Sequence, residues 1–229
     1  MKRGKKWRES RGKISRTEEY SLEDAVDFIK QNSHVKFDET LDIAVNLGVD
    51  PRKSDQTVRS SVVLPHGLGK TIRVLAFAQG EKEREAREAG ADYVGGEDLA
   101  EKIKGGWLEF DSVVATPDMM KVVGKLGKIL GTRGLMPNPK VGTVTMEIGK
   151  VIKDAKRGKV DFRVEKGAIL HAPLGKVSFS QQNLVENTRA FMDAVYKAKP
   201  PSAKGSYIKK VTLSSTMGQG IKVKVADLK

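Results

Sequence analysis

The stretch GTRGLMPNPKVGTV, residues 131–144, sets two cations, Arg133 and Lys140, in a frame of three glycines and two prolines. Gly131, Gly134 and Gly142 permit positive φ or close approach of the backbone, and Pro137 and Pro139 stiffen the chain around Asn138. A plain connector needs only about four to six residues. The frame predicts a shaped cationic loop offered to an anion, with a wide turn bearing solvated charges as the alternative. PHGLGKT, residues 65–71, ends like a phosphate-binding loop, with Gly69, Lys70 and Thr71 in order. The first glycine of that motif belongs six residues before the lysine, where this chain has Leu64. TIRVLAFA after it reads as a strand, not as the helix whose N-terminus would hold phosphate. Nucleotide hydrolysis is disfavoured on both counts. His34, His66 and His171 lack metal-site spacing, and the carboxylates lie in helical runs beside Lys and Arg, as solvated faces do. No catalytic pair, metal or cofactor is expected.

Composition favours a polyanionic partner. The chain of 229 residues has 42 Lys and Arg against 29 Asp and Glu, a formal charge of +13 and a pI near 9.8, the range in which nucleic acid is the leading candidate. A hydrophobic content of 38% suffices for a sizeable core in one large domain or two modest ones. With no cysteine there is no disulfide framework or thiolate nucleophile, and a cytosolic setting fits. The basic start, MKRGKKWRESRGKISR, has no apolar stretch behind it, so neither a secretory signal nor a membrane anchor is read there. Charge is uneven: the first twenty residues carry eight Lys or Arg, and the end from Lys199 carries seven lysines against Asp227 alone. If the two ends meet in space they form one patch; otherwise each is a solvated tail.

The elements that would position these residues have two textures. SLEDAVDFIKQNS reads as an amphipathic helix capped by Ser21, with Leu22, Ala25, Val26 and Ile29 on one face. LDIAVNLGV alternates, putting Leu41, Ile43, Val45, Leu47 and Val49 on one side, and KVTLSS and IKVKVA repeat that habit, as half-buried antiparallel strands do. Between them, IRVLAFA and SVVAT are continuous apolar runs. Each is followed by a helical pattern, EKEREAREAG closed by Gly90 and PDMMKVVGKLGKIL opened by Thr116 and Pro117. That is a βαβ rhythm with a parallel sheet, and residues from about 70 to 158 read as an inserted α/β domain.

GTRGLMPNPKVGTVT, RSSVVLPHGLGKTIRV and SSTMGQG together resemble the bacterial large-subunit ribosomal protein L-one family, proteins of the mobile side stalk beside the tRNA exit site. The likeness runs from about Lys30 to the C-terminus. Ser60, Leu68 and Glu165 depart from the family's usual glycine, threonine and aspartate, and the N-terminal dozen residues match least and receive no role. The resemblance implies an α/β protein with a discontinuous α+β first domain, residues 1–69 and 159–229, and an inserted Rossmann-like α/β domain, residues 70–158. It implies binding of 23S rRNA mainly through the first domain, at Lys36, Phe37 and Thr40, at Ser215, Thr216, Met217 and Gly218, and at Lys166 and His171, with Arg133 and Lys140 as a secondary RNA contact. Hydroxyls and open backbone suit 2′-OH and phosphate, and Phe37 and Met217 offer apolar surface to sugar and base.

Implied partners are 23S rRNA, exit-site tRNA whose release is assisted, and the leader of the protein's own mRNA, whose translation is repressed. No catalysis, cofactor or membrane is implied, and the protein is expected to be cytoplasmic, on the ribosome, and monomeric when free of it. From the residues alone, Phe37 could be core, Met217 a gap filler and STMGQG an ordinary turn. Two other functions compete: a nucleotide-dependent enzyme using PHGLGKT, and a non-ribosomal RNA chaperone.

Overall fold

The computed structural model describes residues 4–15 and 17–228, with the backbone alone for Lys6. Met1–Arg3, Arg16 and Lys229, part of the two basic ends, lie outside the described residues. In chain order the elements are α1 (Lys5–Gly12), α2 (Leu22–Asn32), β1 (Thr40–Leu47) and β2 (Arg59–Val63). Then come β3 (Val74–Phe77), α3 (Glu81–Glu88), β4 (Tyr93–Gly95), α4 (Glu97–Lys104), β5 (Ser112–Ala115), α5 (Met120–Gly124), α6 (Gly127–Thr132) and α7 (Ile148–Lys156). The chain closes with β6 (Lys159–Arg163), β7 (Ile169–Lys176), α8 (Gln181–Lys197), β8 (Ile208–Ser215) and β9 (Ile221–Val223). These elements group into two compact units, residues 1–69 with 160–229, and residues 70–159.

The unit built from both chain ends is an antiparallel sheet in the order β7-β1-β8-β9 with helices packed on one face. Alternation in β1 is strict. Leu41, Ile43, Val45 and Leu47 enter the core against Val26 and Ile29 of α2 and Phe191 and Val195 of α8, while Thr40, Asp42, Ala44 and Asn46 stay half-exposed on the opposite face. Both helices are N-capped, since Ser21 Oγ accepts from the Asp24 N–H at 3.1 Å and Ser180 Oγ from the Asn183 N–H at 3.1 Å. Strands β2 and β6 pair in a small second sheet, and α8 packs on β2.

The contiguous unit has a parallel sheet in the order β4-β3-β5. All four residues of β3 are buried because both faces are covered. Leu75 and Phe77 pack with Ile103, Leu126 and Leu130 on one side, and Val74 and Ala76 with Ala86, Ile148 and Ile152 on the other.

Two sequence expectations change. PDMMKVVGKLGKIL forms two short helices, not one: α5 starts only at Met120, and Lys125–Leu126 makes a tighter turn before α6. Gly124 and Gly127 flank the break, where helix propensity is lowest. IKVKVA is a strand only to Val223; Val225–Leu228 forms a 3-10 turn that buries Leu228.

Candidate nucleic-acid interface

At one end of the four-stranded sheet, the loop leading into β1 meets the turn after β8. Their junction is a carboxylate. Glu39 is only 2% exposed, and its Oε1 accepts from Ser215 Oγ at 3.1 Å and from the Met217 N–H at 2.7 Å, while its Oε2 accepts from Ser33 Oγ at 2.6 Å. The Glu39 carbonyl accepts from the Val177 N–H at 2.9 Å, which ties the start of β1 to the end of β7. A buried carboxylate survives without a cation only when several donors satisfy it, and three do here. Beside it, Thr216 Oγ1 accepts from the Thr40 N–H at 3.1 Å. Asp38 holds the flank, taking the Ser178 hydroxyl at 2.7 Å and the Ser178 N–H at 3.2 Å, and Lys176 Nζ reaches Thr40 Oγ1 at 3.1 Å.

This anchoring presents apolar side chains outward. Phe37 is 54% and Met217 55% exposed, two of the four large hydrophobic residues most open to solvent among the described residues. Neither is core. Lys36 and Thr216 are exposed with them. Ser215, expected among the RNA-facing residues, is instead buried at 5% exposure with its hydroxyl committed to Glu39. Gly218 donates its N–H to the Ser215 carbonyl at 3.1 Å, and a Cβ there would run into Ser215 Oγ, which is why the turn takes glycine.

The remaining expected residues lie elsewhere on the sheet. His171 is exposed on β7 opposite Ala44, and Lys166 is exposed in the β6–β7 turn, beyond the pairing of Asn46 with Ile169. Six residues of strand separate Thr40 from Asn46, about 20 Å, so Lys166 does not join the 215–218 turn. Between them on the open face, burial holds the Asp42 carboxyl above the usual range against the opposing pull of His171 and Lys176. Sequence reading missed Glu39, Ser33 and Asp38 as the supports of the site. A carboxylate directly before an alternating strand was the signal for Glu39, but nothing local marks it as buried.

In the contiguous unit, the 131–144 loop holds a fixed shape. Asn138 Oδ1 accepts from the Lys140 N–H at 2.8 Å, Thr143 Oγ1 accepts from the Asn138 N–H at 2.8 Å, and Lys159 Nζ caps the Val141 carbonyl at 2.9 Å. Gly134 and Gly142 have φ of 72° and 74°, the left-handed region that favours glycine, whereas Gly131 sits inside α6. Arg133 and Lys140 are both exposed on this frame.

PHGLGKT is not a phosphate loop here. Lys70 Nζ bonds Asp111 Oδ1 at 2.7 Å, and the next regular element after it is β3. The preceding residues are pinned to α8: buried Asn187 accepts from the His66 N–H at 3.1 Å and donates to the carbonyls of Gly67 at 3.0 Å and Leu174 at 2.7 Å. His66 Nε2 lies 2.5 Å from Glu186 Oε2, a contact that holds the Glu186 carboxyl below its usual range. Among the described residues no three His, Asp or Glu side chains gather as a metal site, and no helix is long and apolar enough to cross a membrane.

A family model, the ribosomal protein L1p/L10e family, matches residues 29–219. The chain belongs to that family. An L1p/L10e protein is a structural, non-enzymatic component of the ribosome that binds rRNA. The match takes in Lys36, Phe37 and the whole 215–218 turn, and it excludes α1.

Proposed function

We propose that this L1p/L10e protein binds a folded region of 23S rRNA through the unit made of both chain ends, at the surface of Lys36, Phe37, Thr40, Thr216, Met217 and Gly218. The observation that carries the reading is the exposure of Phe37 and Met217 on backbone that buried Glu39 immobilises. Rigid apolar groups beside hydroxyls and open backbone suit the sugar edges and unstacked bases of folded RNA, and an ordered surface loses little entropy on binding. His171 extends the surface along the open sheet face, and Lys166 adds longer-range attraction. Ser215 acts through the turn.

Arg133 and Lys140 make a secondary backbone contact on the ribosome's mobile side stalk, to nearby rRNA or to departing exit-site tRNA, whose release the protein assists. A message whose leader imitates the rRNA site would compete for the same surface, so the protein represses translation of its own mRNA. Free of the ribosome it is a monomer, and it works in the cytoplasm.

The test is titration of a side-stalk 23S rRNA fragment, an unrelated structured RNA and ATP at rising salt. Binding of the fragment that survives moderate salt, with weak and salt-sensitive binding of the other RNA and none of ATP, is expected. Equal affinity for both RNAs would instead favour a chaperone.

A further inference from the structure

The N-terminal helix has no place in the interface described above, yet the structure fastens it to the same turn. Gln219, two residues beyond Met217, donates through Nε2 to the Trp7 carbonyl at 3.1 Å and to Ser10 Oγ at 3.0 Å. Ser10 is 8% exposed and its hydroxyl returns a bond to the Trp7 carbonyl at 3.1 Å; Ile14 packs on the core of the unit. The Trp7 carbonyl, Ser10 and, just beyond the helix, Ile14 therefore fasten this segment. Tyr20 then closes the segment along the edge strand β9, its N–H donating to the Lys222 carbonyl at 3.0 Å and its carbonyl accepting from the Lys224 N–H at 3.0 Å.

Much of α1 is nevertheless open to solvent. Lys5, Arg8 and Arg11 recur every three residues, are exposed, and make no ion pair among the described residues. Glu9 is the one acid in the helix. Arg11 also lies over the Trp7 ring at 5.3 Å, which limits its freedom. Fastening the segment takes only the Trp7 carbonyl, Ser10 and Ile14. Three unpaired cations on an ordered frame beside Met217 are more than that duty requires, and they suit a row of phosphates.

We propose that α1 is a docked phosphate clamp: Gln219 sets it against the Met217 turn so that Lys5, Arg8 and Arg11 grip the RNA backbone flanking the recognised site. The inference rests on the rRNA reading above. Such contacts are sequence-independent and work by counterion release, so they add affinity that salt removes and contribute nothing to preference among RNAs.

The experiment measures binding of the 23S rRNA fragment and of an unrelated RNA between 50 and 200 mM salt, for wild type, the triple variant Lys5→Ala/Arg8→Ala/Arg11→Ala, and Gln219→Ala. All three replaced cations are exposed, so the triple variant should melt with the wild type. Three phosphate contacts lower the slope of log K against log salt by about 2 to 3, and the gap between wild type and triple variant should close by roughly 20- to 40-fold across that range. Loss should be equal for both RNAs. Gln219→Ala, which keeps the cations but frees the helix, should bind several-fold more weakly with an unchanged slope. An unaltered slope in the triple variant, with the wild type still preferring its fragment, would overturn the clamp and leave the rRNA site standing. A wild type without preference would sink the rRNA reading itself. Loss confined to the specific fragment would mean base contacts, and a Gln219→Ala protein indistinguishable from wild type would mean a loose basic tail; either result overturns the proposal.

Discussion

The backbone N–H of Met217 lies 2.7 Å from a carboxylate oxygen of Glu39, 178 residues away in the chain. With the Ser215–Glu39 and Thr40–Thr216 bonds, it joins the N-terminal and C-terminal parts of the proposed RNA surface and holds the backbone from which Met217 projects. On the proposed reading, a buried acid shapes the surface that recognises RNA.

Replacing Glu39 by alanine should therefore damage both fold and binding. Three donors lose their acceptor, and although two are hydroxyls that can turn elsewhere, the Met217 N–H cannot. A loss of about 2 to 4 kcal/mol is expected in urea unfolding. Affinity for the rRNA fragment should fall further than stability explains. Wild-type stability in Glu39→Ala would deny the junction any structural weight.

Met217→Ala and Phe37→Ala should behave in the opposite way. Both side chains are more than half exposed, so melting should hardly move, while rRNA binding weakens by about 1 to 3 kcal/mol each. Thr216→Ala belongs to neither class, because its hydroxyl satisfies the Thr40 N–H and its loss should cost about 0.5 to 1.5 kcal/mol of stability as well. Separate melting and gel-shift titrations on the three variants distinguish these patterns.

Asn187→Leu fills a similar volume but strands the His66 N–H and the carbonyls of Gly67 and Leu174. It should destabilise the protein by about 2 to 4 kcal/mol in thermal or urea unfolding. A neutral result would show that water replaces the amide without loss.

The Lys70–Asp111 pair supplies a pH-dependent prediction. The Lys70 hydrogen bond, aided by the Arg73 N–H and side chain, holds the Asp111 carboxyl below its usual range. A depressed carboxylate stabilises the fold above its unfolded pKa of about 4. That contribution is lost as pH falls through the folded value. Lys70 is 62% exposed, so screening limits the effect, and Lys70→Ala should cost at most about 1 kcal/mol at pH 7, shrinking to nothing at the acid end of the carboxylate range. RNA binding should be unchanged, and neither protein should bind ATP. Saturable ATP binding abolished by the substitution would reinstate the nucleotide reading.

Deleting residues 70–159 and joining Gly69 to Val160 with a short Gly/Ser linker should leave a folded protein. Strand β2, just before the exit, and β6, at the return, pair with each other, so the linker spans a small gap at modest entropic cost. The shortened protein should prefer the same rRNA fragment, somewhat more weakly for want of Arg133 and Lys140. A folded deletion variant without preference in gel-shift competition would move recognition to the contiguous unit.

Much of the fold was legible because its signals are local. Leu41 to Leu47 alternate and do form a half-buried strand; Val74 to Phe77 are continuously apolar and are covered on both faces. The α5–α6 break was less legible, since two glycines in a helical pattern weaken a helix without saying where it ends. At the site, the exposure of Phe37 and Met217 could not be read from residue type, which favours burial for both. The supports were invisible for a different reason: Ser215 and Glu39 are 176 residues apart, and no local pattern reports a hydrogen bond made across the chain. Gln219 and α1 escaped notice in the same way.

The strand order β7-β1-β8-β9 has a consequence for the protein's birth. Both neighbours of β1 come from the last third of the chain, so the first 69 residues leave the synthesising ribosome with no strand partner and must wait for residues 169–215. The contiguous 70–159 unit meanwhile holds all its own strands and can fold first. A chain cut short before β8 lacks the partner that completes the Glu39 junction. On the proposed reading of that surface, an incomplete product lacks the turn after β8 that the site requires, and RNA recognition would be the last property the newborn protein acquires.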